Sequence, residues 1–147
     1  MRRLLLTLAA VALGFAYLYA FTYATGFAAA VETPDWWFSA FGKSGRAALV
    51  WLTLLHLAAI TVVSLPFAWI IGRFYGRLAA PLALGITAAI CVFIEIPVLS
   101  TSFPNGGPLL RGLWFLETIV LLLVLPAAVW AFRGWPSNYR IERTRDK

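Results

Sequence analysis

The chain has 147 residues, of which 62% are apolar and 12% charged, with a formal net charge of +6 and a mean hydropathy of +0.85. A soluble domain of this size is about half apolar and about a quarter charged, so the composition argues against a soluble enzyme, a disordered tail and a secreted disulfide scaffold. The expected fold is all-α: a polytopic membrane protein, a four-transmembrane-helix bundle with N and C termini cytoplasmic and a short interfacial helix in the first outer loop.

The first span covers about residues 4–30, behind Arg2 and Arg3. Its basic start and Ala28-Ala29-Ala30 have the order of a cleaved secretory signal. The apolar stretch is too long for one, however: about 27 residues against roughly 7–15 in a signal core. It also carries the bulky Tyr17, Tyr19 and Tyr23, so a retained span is expected. Ala12, Ala16, Ala20, Ala24 and Ala28 recur at every fourth position. In lipid, close backbone approach over small residues drives helix packing, so this stripe is a candidate contact with a helix of this chain or of a partner.

Residues 31–46 form the first connection. Thr33-Pro34-Asp35 has the signature of a helix start: a hydroxyl cap, a proline in the first position and an acid at the positive end of the dipole. Trp36, Trp37, Phe38 and Phe41 follow at once and are the expected interfacial anchors. The second span, about 47–72, contains Pro66, which removes a backbone hydrogen bond and is expected to kink the helix. A short basic turn through Arg73, Gly76 and Arg77 leads to the third span, about 80–99. There Pro81 suits a first helical turn, while Pro97 should loosen the last one. Residues 100–108 are rich in turn formers and are expected to be a loop. The fourth span covers about 113–132, and residues 1–135 are expected to form a single domain. A basic tail, 136–147, closes the chain and suits anionic headgroups.

With the N-terminus inside, the cytoplasmic side carries Arg2, Arg3, Arg73, Arg77, Arg133, Arg140, Arg143, Arg145 and Lys147; the other side carries Lys43, Arg46 and Arg111. Nine against three across short loops fixes the expected orientation. Trp51 and Trp114 outside, with Trp69 and Trp130 inside, fit two interfacial belts. Compact loops and arginine-rich ends suggest a bacterial inner membrane. The two halves of the chain share no repeat of the kind found in inverted-repeat transporters.

Polar residues inside the spans are expensive and therefore informative. Thr53, His56 and Ser64 fall within an arc of about 80° on the second span. Thr87, Cys91 and Glu95 follow an i, i+4, i+8 line on the third, and Glu117 lies in the fourth. Glu95 and Glu117 sit roughly 6 Å inside the outer ends of their spans, and His56 roughly 14 Å. They can therefore meet as an intramembrane polar cluster of Thr53, His56, Cys91, Glu95 and Glu117. Three uses remain open, of which recognition of a partner within the membrane is one. In the other two the cluster is a proton or cation site, or it is interhelical glue, with the glutamates reaching toward Lys43, Arg46 or Arg111 at the surface and the hydroxyls bonded to their own backbone.

One cysteine and one histidine exclude an internal disulfide, a multi-cysteine zinc site and a bis-histidine haem within one chain. No catalytic motif is present, and Gly42-Lys43-Ser44 is not a phosphate loop because Trp37 stands where the first glycine is required. No enzyme activity, cofactor, metal or nucleic-acid partner is expected. The expected function is non-catalytic: an accessory or interaction subunit, including immunity-type binding of another membrane protein. The partners are then the lipid bilayer and another membrane protein, or a second copy of the chain. The alternative is an oligomeric proton- or cation-coupled transporter or channel using Glu95, Glu117 and His56.

Overall fold

A computed structural model describes residues 2–97 and 107–134; their regular structure is entirely helical. The expected loop through 100–106, the end of the third span at 98–99 and the basic tail lie outside these residues. Five α-helices follow in order: α1 (Arg2–Ala29), α2 (Asp35–Phe41), α3 (Gly45–Tyr75), α4 (Ala79–Ile90) and α5 (Pro108–Gly134). A 3₁₀ turn, Gly76–Leu78, joins α3 to α4, and a π-helical turn, Cys91–Glu95, extends α4. Three helical runs are long and apolar enough to cross a membrane: Leu4–Ala29, Gly45–Glu95 and Pro108–Phe132.

The middle run reverses direction at Gly76. Tyr75 Oη donates to the Leu6 carbonyl at 3.0 Å, and Tyr17 pairs with Ser64 at 2.9 Å, so α3 runs antiparallel to α1. Ile86 lies against Gly14, and Ile94 and Glu95 lie beside Phe21 and Thr22, so α4 and its extension run parallel to α1. Gly76 makes the reversal with φ 49° and ψ −117°, a conformation that side chains other than glycine's rarely tolerate.

The first connection is built differently from the expectation. Pro34, not Thr33, occupies the N-cap position of α2, in an extended conformation and with no side-chain cap. A pyrrolidine ring preset near φ −65° supplies the entry geometry without a hydroxyl. Gly42 ends α2 at φ 81°, and Ser44 caps α3 by accepting from the Ala47 amide at 3.2 Å. The Gly-Lys-Ser triplet is therefore a helix stop and a helix start. Helical hydrogen bonding continues through Pro66 and Pro126, and Pro81 falls in the first turn of α4, where its missing amide costs nothing.

The core is a stack of i, i+4 contacts: Ile60, Ser64 and Ala68 on α3, Ala79, Ala83 and Thr87 on α4, and Leu121, Leu125 and Val129 on α5. Small residues face large ones across it, so the backbones approach closely, and the Thr87 hydroxyl lies 3.2 Å from the Leu122 carbonyl of α5. Helix α5 packs on both α3 and α4, and α3 packs on α1. Helices α1 and α4 barely touch, leaving an apolar seam of about 550 Å³ between them.

Candidate functional site

Three of the polar residues that the sequence places in separate spans, His56, Glu95 and Glu117, converge on one cavity of about 310 Å³. Helix α3 brings His56, α5 brings Trp114 and Glu117, and the π turn brings Glu95. His56 Nδ1 is 3.5 Å from both carboxyl oxygens of Glu117, a loose, symmetrical contact. Trp114 Nε1 donates to Glu95 Oε2 at 3.2 Å. Helix α1 closes the cavity with Phe21, Thr22 and Thr25.

The π turn decides where Glu95 points. In a continuous α-helix a residue four further on lies about 40° around the axis; the wider turn brings it back to the other side of that line. The Ile96 amide bonds to the Cys91 carbonyl, five residues back, immediately before Pro97. Proline has no amide and its ring crowds the carbonyl four residues earlier, which disfavours ordinary α-helical bonding there. The expected straight line of Thr87, Cys91 and Glu95 is therefore broken. Thr87 and Cys91 stay in the core while Glu95 turns to Trp114. Thr53 is buried one turn before His56 and, like Cys91, does not line the cavity. Ser64 is buried too, but pairs with Tyr17.

Among the described residues His56–Glu117 is the one ion pair, so neither glutamate is within ion-pair distance of Lys43, Arg46 or Arg111. His56 Nε2 is buried without a protein partner. No group of three or more His, Cys, Asp or Glu side chains suited to a metal ion occurs among the described residues. The arrangement offers two carboxyls, an imidazole and an indole donor around an open space. That set can hold a positive charge or pass a proton between neighbours.

Trp51 and Trp114 both have partners within the chain. Trp51 packs against Trp36 and Trp37 with ring centroids 5.6 and 5.2 Å away. Of the four expected anchors, Trp37 is buried, with Nε1 donating to the Ala47 carbonyl at 2.9 Å and its ring 4.4 Å from Phe41. Trp36 and Phe41 remain exposed and Phe38 is half-buried. The alanine stripe divides: Ala28 is buried, Ala20 and Ala24 are half-buried, and Ala12 and Ala16 are exposed. The α1 side chains buried at its contacts are instead Tyr17 and Phe21. Sequence reasoning missed Trp114 as the donor to Glu95, and Thr22 and Thr25 as cavity walls. Their signal was present: Trp114 stands one turn before Glu117, and the two threonines lie three apart on one helix face.

The chain matches no known family model, curated protein or solved structure.

Proposed function

We propose that the protein is a four-span integral membrane protein of the bacterial inner membrane, with both termini cytoplasmic, acting non-catalytically as an interaction subunit of another membrane protein. Four crossings are supported by length. The 51-residue run Gly45–Glu95 would extend about 75 Å if straight, against a hydrocarbon core of about 30 Å, and its two halves run in opposite directions. Orientation is supported by charge: Arg73 and Arg77 share the end of the bundle where α1 begins, and Lys43, Arg46 and Arg111 lie at the other. The exposed Trp36 and Phe41 suit α2 to the headgroup layer.

One observation carries the interaction reading. The seam between α1 and α4 is open, apolar and lined by Ala10, Gly14, Gly85 and Ala89, with Phe15 and Phe93 at its rim. Small residues are what transmembrane helix interfaces use, and a seam of this width suits an apolar helix with small residues of its own. The test combines purification in mild detergent with in-cell photocrosslinking from Gly85. The expected result is one membrane protein, crosslinked at the seam, stoichiometric on purification and lost in Gly85→Leu. Crosslinks to lipid alone, with no protein retained, would overturn the reading.

A second reading, cation-coupled transport, is favoured by the cavity itself. Interhelical glue would be packed tightly, whereas His56, Glu95 and Glu117 surround a space. Wild-type ion flux in liposomes that falls in Glu117→Gln is its expected result; flux equal to that of empty liposomes defeats it.

A further inference from the structure

We propose that the cavity between α1, α3, α5 and the π turn binds a small organic cation, a protonated amine with an apolar body. The proposal deepens the second reading by naming the occupant, and binding of such an amine would stand whether or not it is transported.

Charge gives the first reason. The lining holds two carboxyls and one imidazole and no lysine or arginine. Even a fully charged His56 offsets one of the two, and its contact with Glu117 is a loose 3.5 Å. A carboxylate within a bilayer costs at least a few kcal/mol unless it is paired or protonated, and a cationic guest would pair it.

Hydrogen-bonding capacity gives the second. Glu95 Oε2 accepts from Trp114, which fixes that carboxyl and leaves Oε1 as an acceptor. The Thr25 hydroxyl donates to the Phe21 carbonyl at 2.9 Å, so its oxygen presents lone pairs. Glu95 Oε1 and the Thr25 hydroxyl oxygen both accept, and a guest with several N–H donors on one atom satisfies them together. An ammonium group has three.

Size and wall chemistry give the third. About 310 Å³ is far more than a bare alkali ion fills and lies at the low end of small-molecule sites, which span roughly 300–1,000 Å³. Phe21, Ile60, Ile94 and Leu121 form the apolar walls, beside Trp114. An ammonium placed between Glu95 and Glu117 leaves its organic body against these side chains.

The test uses the full chain in detergent and 2-phenylethylammonium as probe, with 2-phenylethanol as a neutral molecule of nearly the same shape. Calorimetry is expected to show saturable binding of the amine, weaker by about tenfold or more in Glu117→Gln and Glu95→Gln, and no saturable binding of the alcohol. Excess sodium at constant ionic strength should leave the affinity unchanged. Equal binding of amine and alcohol, displacement by sodium, or no saturable amine binding would each overturn the site. The wild-type comparison decides the matter even where a glutamine variant fails to fold. Liposome flux is measured separately: amine binding without flux removes the transport reading and keeps the site, and proton flux without amine binding does the reverse.

Discussion

Tyr17 and Ser64 form a buried polar pair between α1 and α3, and both are fully shielded. The Ser64 hydroxyl donates to the Ile60 carbonyl at 2.7 Å, which commits its one proton, so the Tyr17 hydroxyl is the donor in the 2.9 Å contact between them. The two truncations therefore differ. Tyr17→Phe removes the donor while Ser64 keeps its backbone bond, a loss of about 0.6 kcal/mol on the scale of interhelical bonds in membranes. Ser64→Ala leaves the tyrosine hydroxyl buried without an acceptor, which costs about 1–3 kcal/mol. Thermal unfolding in detergent should rank Ser64→Ala below Tyr17→Phe, and both below wild type. The reverse order would mean that the hydroxyl finds another acceptor.

At the scale of elements, α3 and α4 depend on one backbone conformation. At Gly76, φ 49° with ψ −117° suits glycine, while nothing lies within 4 Å of where a Cβ would be. Gly76→Ala therefore introduces strain and no clash, of about 1–2 kcal/mol. Gly72, one turn earlier, is helical and equally open. Gly72→Ala should be neutral or stabilising by up to about 1 kcal/mol. Opposite shifts in unfolding temperature from two Gly→Ala changes four residues apart are the expected outcome, and equal shifts would remove the turn from this role. Much of this element was legible in the sequence, since Gly76 lies in a short basic turn between apolar runs. The π turn was not. Its cause, Pro97, was visible as a loosening of the last turn, but periodicity assumes one angular step throughout and so kept Glu95 in line with Cys91. Trp114 was obscured for a related reason: an indole near a span end has a ready reading as a belt residue, and its bond to Glu95 depends on where the π turn aims the carboxyl.

For the whole molecule, the helix contacts define an open ring, α1–α3–α5–α4, in which the last and first members hardly meet. The sequence indicated that Glu95 and Glu117 lie at matched depth with His56 one to two turns deeper, and the structure assembles the three in one chain. Depth alone could not reveal that the same ring leaves α1 unsupported on its α4 side, because that depends on which neighbours the connections permit. The proposed four crossings make a sharp prediction about the ends of this ring. In a Cys91→Ser background, which removes the native thiol, Lys43→Cys and Arg77→Cys each place one thiol at an exposed position, on opposite ends. A membrane-impermeant maleimide added to intact spheroplasts should label Lys43→Cys and leave Arg77→Cys unlabelled until the membrane is opened. The opposite pattern would keep the hairpin and invert the orientation. Labelling of both from outside would mean that the chain between these residues does not cross the bilayer, so that α3 and α4 pack as a hairpin on one side of it.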